Sequence, residues 1–188
     1  MRIALKEWAV VIDALARGRQ MFLLRKGGIT EGRDGFELLH RDFLFYPTWE
    51  HQQAELIRPE FREDFDRSKP PSGHVVRLRY LGKAVAIRPA PKSLEAFASM
   101  EASHIWNESF LRMRYDYRPD LPLYMVLVRV YRLARPAEVA HDPRYAGCRS
   151  WVELNEEVEA RGAEPVLTDG EFAQAMQALV GATDRFGS

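Results

Sequence analysis

Leu123-Tyr124-Met125-Val126-Leu127-Val128-Arg129-Val130-Tyr131-Arg132-Leu133 is the stretch that decides the fold class. An apolar run rich in Leu, Met and Val, bounded by turn signals, reads as a buried strand. Arg118-Pro119-Asp120-Leu121-Pro122 is the turn before it, and Pro136 is expected to stop it. Upstream, Val75–Tyr80 and Ala84–Arg88 are strand-like and meet at Leu81-Gly82-Lys83, which predicts a hairpin closed by Pro89 and Pro91. Met21–Leu24 suits a buried strand, and Phe36–Pro47 a strand or hairpin arm that Pro47 ends.

Helical spacing appears elsewhere. Leu5, Trp8, Val11, Ile12 and Leu15 predict a helix over 4–17, with Gly18 as its C-terminal cap. A charged helix is expected over 49–67, and a second, capped by Ser93, over 94–112. Thr168 or Asp169 caps a last one over 170–182, with Phe172, Met176 and Leu179 on one face. Strands and helices do not alternate regularly, which argues against a doubly wound parallel sheet. The expected class is α+β, with a small mixed or antiparallel sheet curled toward a barrel and helices packed outside.

The chain has 188 residues and is 46% hydrophobic, enough for one domain over 1–188 with a full core. That core is expected over about 3–160, with the acidic helix at 170–182 packed on it. Lys69-Pro70-Pro71-Ser72-Gly73 suits a loop between elements. Lys plus Arg is 27 and Asp plus Glu is 27, a balance that argues against general DNA coating. The distribution is uneven. Residues 74–135 carry 11 basic and 5 acidic side chains, and residues 136–188 carry 4 basic and 10 acidic. Either the tail neutralises the middle, or the middle offers a basic face to a polyanion.

Cys148 is the only cysteine, so neither a disulfide nor a multi-thiolate zinc site is available, and its expected role is structural. No secretory leader pattern and no membrane-length apolar run occurs, so a cytoplasmic protein without a membrane segment is expected. No cofactor motif is present.

Four constellations could carry chemistry. Arg25-Lys26-Gly27-Gly28 follows a strand, where glycine amides and two cations could meet an anion, although phosphate-loop spacing is absent. Glu50 and His51, with His40 before them, are candidate catalytic or metal-binding residues; the alternative is a helix start capped by Thr48. Trp106, Phe110, Arg112, Arg114, Tyr115, Tyr117 and Arg118 interleave rings with guanidinium groups, as single-strand nucleic-acid binders do; the alternative is a buried Trp106 and Phe110 beside solvated arginines. Arg129 lies inside an apolar strand, where it needs either an acid or a bound anion as partner.

Leu5-Lys6-Glu7-Trp8, Leu23-Leu24-Arg25-Lys26-Gly27-Gly28-Ile29, Phe45-Tyr46-Pro47-Thr48 with Glu50-His51-Gln52, and Cys148-Arg149-Ser150-Trp151-Val152-Glu153-Leu154 together resemble the family called domain of unknown function 1802. That resemblance spans roughly 3–160 and implies no activity. Gly18-Arg19-Gln20-Met21-Phe22-Leu23-Leu24-Arg25 is also similar to the Gly-Lys-Lys-Thr-Val-Glu-Leu-Arg-like stretch of PUA-like domains of the ASCH type. Leu23 replaces the glutamate of that pattern and Gln20 its second lysine. The resemblance implies a PUA-like barrel that binds RNA or a modified base.

Three functions follow as expectations. In the first, a nucleic-acid or nucleotide binder, Arg19, Arg25 and Lys26 hold phosphate and Trp49, Trp106 or Tyr115 stacks on a base. Arg112, Arg114 and Arg129 extend its binding surface. It requires the cations near Gly27 and the rings after residue 105 to open onto a common concavity. The second is a metal-assisted phosphodiester hydrolase using His40, Glu50 and His51. The third is a protein–protein module.

Overall fold

The computed structural model describes residues 1–26, 31–32, 35–36, 38–69, 75–147 and 149–184. In chain order the elements are β1 (Ile3–Trp8), α1 (Ala9–Ala16), β2 (Phe22–Arg25), β3 (Glu31–Gly32), β4 (Gly35–Phe36), β5 (Asp42–Thr48) and α2 (Arg62–Arg67). β6 (Val75–Pro89), α3 (Leu94–Ala98), α4 (Glu108–Asp116), β7 (Tyr124–Ala140), β8 (Trp151–Glu153), β9 (Glu164–Pro165) and α5 (Asp169–Asp184) complete it. Gly27-Gly28, Pro70-Pro71-Ser72-Gly73 and Cys148 lie outside the described residues.

The class is α+β, as expected. Seven strands form one sheet in the order β2-β7-β6-β5-β1-β8, with β9 also on β7. The sheet is mixed, because β1 and β5 run parallel while the other ladders are antiparallel. It does not close into a barrel; among the described residues no ladder joins the β2 edge to the β8 edge.

Both faces of the sheet are covered. Along β1 and β5, Leu5, Phe43 and Phe45 meet the helices, including Phe97, Phe110 and Leu179. The alternate residues Ala4, Leu44 and Tyr46 meet Tyr145, Val152 and Leu154 on the other side. Phe22, Phe43, Phe45 and Phe97 are fully buried, and each such ring contributes about 1.5–3 kcal/mol of transfer free energy. Among the described residues no helix is long and apolar enough to cross a membrane.

Several elements differ from expectation. The helix over 4–17 is a strand followed by a helix. β1 sits between β5 and β8 and is buried on both faces, and such a short run lacks the strict alternation that separates strand from helix. Gly18 does cap α1: its φ is 67°, its N–H donates to Leu15 O at 3.1 Å, and Arg19 N–H donates to Ala14 O at 2.9 Å.

The hairpin at Leu81-Gly82-Lys83 is instead the middle of the continuous strand β6. Gly82 serves close approach, not turning. A Cβ there would stand 2.8 Å from Phe43 Cε2 and 2.9 Å from Phe45 Cε2.

Pro136 does not end the strand either. The register steps from Leu78↔Ala137 to Tyr80↔Arg132, so Arg79 faces the looped-out run Leu133-Ala134-Arg135-Pro136. A proline at such a bulge removes no ladder bond.

The helix over 94–112 is broken into α3 and α4, because Asn107 makes a second N-cap by accepting from Phe110 N–H at 3.1 Å. Residues 49–67 hold two short 3-10 turns before α2, the second opened by Pro59. α5 begins with a capping box in which Thr168 N–H donates to Glu171 Oε2 at 2.8 Å and Glu171 N–H to Thr168 Oγ1 at 3.3 Å.

Candidate functional site

A cleft of about 430 Å³ opens where α1, the end of β5, the end of α2 and the outer half of β6 meet. That volume is in the range of small-molecule sites. Its position follows from local chemistry. Odd residues of β6 before the bulge share one face, which brings Val75, Arg77 and Arg79 to the cleft while Val76 and Leu78 enter the core. The bulge then shifts the alternation, so Tyr80 lines the cleft next to Arg79. β5 contributes Phe45 and Pro47, with Trp49 just beyond it.

Trp49 is fixed from behind. Its indole N–H donates to Ser68 O, and Ser68 Oγ donates to Phe65 O at 2.8 Å. Gln52 ties this corner to α1, as its Nε2 donates to Ser68 Oγ at 3.2 Å and its Oε1 accepts from Val10 N–H at 3.2 Å. The Val10 N–H is one of the orphan donors at the start of α1, which has no side-chain cap of its own.

The lining of the cleft is cationic overall. Arg67, Lys69, Arg77 and Arg79 line it, with Asp13 and Glu138. Arg67 pairs with Asp64, Lys69 with Asp66 at 3.0 Å and Arg77 with Glu138 at 2.6 Å. These three cations are more than half exposed, so each pair is worth only about 0–1 kcal/mol and can be exchanged for a stronger anion. Arg79 has no hydrogen-bond or ion-pair partner among the described residues. Burial pushes the Asp13 carboxyl above the usual carboxylate range, while Arg17, Arg79 and Arg67 oppose the shift and Asp64 adds to it.

Of the residues expected from sequence, only Trp49 lines this cleft. Trp106 is sealed in the core at 2% exposure, stacked on Phe110 with ring centroids 4.9 Å apart, and cannot meet a base. Lys26 does reach the segment after residue 105, but as a helix cap. Its buried ammonium donates to Arg114 O at 3.1 Å and Tyr115 O at 2.6 Å, satisfying carbonyls at the end of α4. Arg25 is held by Glu7 at 2.8 Å, with the two side chains 15% and 10% exposed. The cations near Gly27 and the rings after residue 105 therefore meet as structure, not as an open concavity.

Other candidates are also engaged. Arg112 pairs with Glu108 at 2.6 Å on the surface of α4. Half-buried Arg114 lies over Tyr117 at 6.0 Å, and burial and the nearby Arg25 disfavour its charge. Tyr115 donates its hydroxyl to Pro91 O, and burial pushes that hydroxyl up to about 12. Arg129 pairs with Asp169 and lies 5.1 Å over the Phe172 ring, which joins α5 to β7. Arg19 is exposed just past the α1 cap.

The three hydrolase candidates are dispersed in role. His40 packs its ring on Trp151 at 5.2 Å, Glu50 pairs with Lys6 at 3.2 Å, and His51 is exposed with φ 59°. Among the described residues no group of three or more His, Cys, Asp and Glu side chains is placed to hold a metal ion.

Sequence reasoning missed Asp13, Arg67, Lys69, Arg77, Arg79 and Tyr80. The signal was present in Arg77-Leu78-Arg79, where cations two apart on a strand must share a face.

A family model described as "Domain of unknown function (DUF1802)" matches residues 4–178, and the chain belongs to that family. Among solved structures the chain is similar to a mutant of the ZmASCH protein from Zymomonas mobilis. That likeness has 12% identity, covers 94% of each chain and has a TM-score of 0.45. No curated protein matches the sequence.

Proposed function

We propose that the cleft binds a nucleotide unit of single-stranded RNA or DNA, with the base against Trp49 and Tyr80 and the phosphates on Arg77, Arg79, Arg67 and Lys69. One observation carries this reading: Arg79, a cation without a partner among the described residues, opens into the same cleft as Trp49 and Tyr80. Flat rings that stack and cations that neutralise phosphate are the two parts of sequence-tolerant single-strand binding. A concavity lined by several cations also favours this reading over a protein-docking face, whose centre is depleted of charge. Among the described residues the large exposed apolar side chains, Leu39, Val75, Val85, Met113 and Tyr117, are scattered along the chain. We propose the cytoplasm as the compartment in which the protein meets such a ligand.

The test is fluorescence anisotropy with short labelled single-stranded RNA and DNA at about 50 and 200 mM salt. The wild type is expected to bind more weakly at the higher salt. The Arg77→Ala, Arg79→Ala double variant is expected to lose roughly tenfold or more in affinity, with the salt slope reduced by about two. A double variant that binds as well as wild type, or a wild type that binds neither strand, overturns the assignment.

A further inference from the structure

Asp13 is the anomaly of a cleft read as anion-binding. Glu138, the other acid lining it, is neutralised by Arg77 at 2.6 Å. The nearby α2 acids Asp64 and Asp66 are paired with Arg67 and Lys69. The half-buried Asp13 carboxylate has no hydrogen-bond or ion-pair partner among the described residues. Its natural helix partner is Arg17, four residues on, but that guanidinium is turned to Asp64 at 2.7 Å. The carboxylate opens onto the cleft with no protein donor on it among the described residues, so its oxygens are free to accept from a ligand placed there.

A strand's phosphodiester cannot be that ligand, because it is an anion with no donors to offer. A carboxylate accepts through two oxygens and is best satisfied by two adjoining N–H groups. Guanine alone among the standard bases presents such a pair, its N1–H beside its N2 amino group. Adenine and cytosine set one amino group next to an acceptor, and uracil sets one N–H between two carbonyls. Guanine also carries O6 and N7, acceptors that a guanidinium recognises. Arg79 is the cation in the cleft without a partner among the described residues, and it lies close enough for its charge to act on Asp13.

We infer that the cleft selects guanine, with the Asp13 carboxylate accepting from N1–H and the N2 amino group and Arg79 donating to O6 or N7. This rests on the nucleotide-binding reading above and adds base identity to it. Asp13 is then the residue that sets specificity, whereas the rings and the remaining cations bind any nucleotide.

The test is competition of GMP, IMP, AMP, CMP and UMP against a labelled single-stranded oligonucleotide, for wild type and for Asp13→Asn. GMP is expected to compete best. IMP, which lacks only the 2-amino group, should be weaker by roughly ten- to a hundredfold, the loss of one charge-assisted hydrogen bond. In Asp13→Asn the affinities of the five nucleotides should converge. The GMP-to-IMP ratio is read on the wild type and does not depend on how the variant folds. Equal competition by all five with intact oligonucleotide binding overturns the guanine assignment and leaves the cleft reading standing. Oligonucleotide binding that is absent, or indifferent to Arg77 and Arg79, overturns both.

Discussion

Gln52 joins Ser68 through a 3.2 Å bond from its Nε2 to the serine Oγ, and its other end accepts from the first turn of α1. One side chain thus spans two helices and braces the residue whose carbonyl holds the Trp49 indole. Gln52→Ala leaves the Val10 N–H and the Ser68 corner without their partner. We expect a loss of about 1–3 kcal/mol in urea unfolding, together with weaker oligonucleotide binding as Trp49 loses its backing.

Gly82→Ala tests the close approach in β6. Its Cβ would stand 2.8 Å and 2.9 Å from two phenylalanine rings that are themselves fully buried. Phe43 is sealed in the core, so overpacking should cost about 1–3 kcal/mol, seen as a lower Tm with unchanged far-UV circular dichroism.

His104 should make the protein acid-sensitive. It is 2% exposed among Phe22, Phe97 and Trp106, and its Nε2–H donates to Phe97 O at 3.3 Å. Burial lowers its pKa from 6.5 to about 4. Below pH 6.5 the unfolded chain takes up a proton that the folded chain refuses, so stability falls as pH drops toward 4. Between pH 7 and pH 5 the loss from this residue is about 2 kcal/mol. Unfolding curves at the two pH values should show that loss in wild type and lack it in His104→Phe.

Lys26→Met separates structure from binding. It removes the ammonium that donates to Arg114 O and Tyr115 O. A loss of about 1–3 kcal/mol is expected, with oligonucleotide affinity at the wild-type level. Affinity that fell as far as in Arg77→Ala, Arg79→Ala would return the site to Lys26.

The elements most legible in sequence were those with local physical signatures. Gly18, Ser93 and Thr168 or Asp169 mark helix ends because capping is decided within a few residues. The Leu123–Leu133 strand was legible from its apolar density. Gly82 and Pro136 misled for one reason. Both are turn residues by local chemistry, and both were placed by tertiary demands: ring clearance at Gly82 and a strand irregularity at Pro136. The site failed in a similar way. Arg25, Lys26 and Trp106 are prominent in sequence but are claimed by Glu7, the end of α4 and the core. Asp13 and Arg79 carry no motif, and they come to one cleft only because α1 and the bulged half of β6 both border it.

The Leu133–Pro136 loop-out gives the β6–β7 ribbon a slack segment. A residue inserted there can be taken up locally, with the pairings on either side keeping their phase. The same insertion near Val126 would flip every side chain beyond it along the ladder to β2 and turn core residues outward. Length variation in relatives of this chain should therefore gather at that segment, directly across from the arginine that faces the cleft.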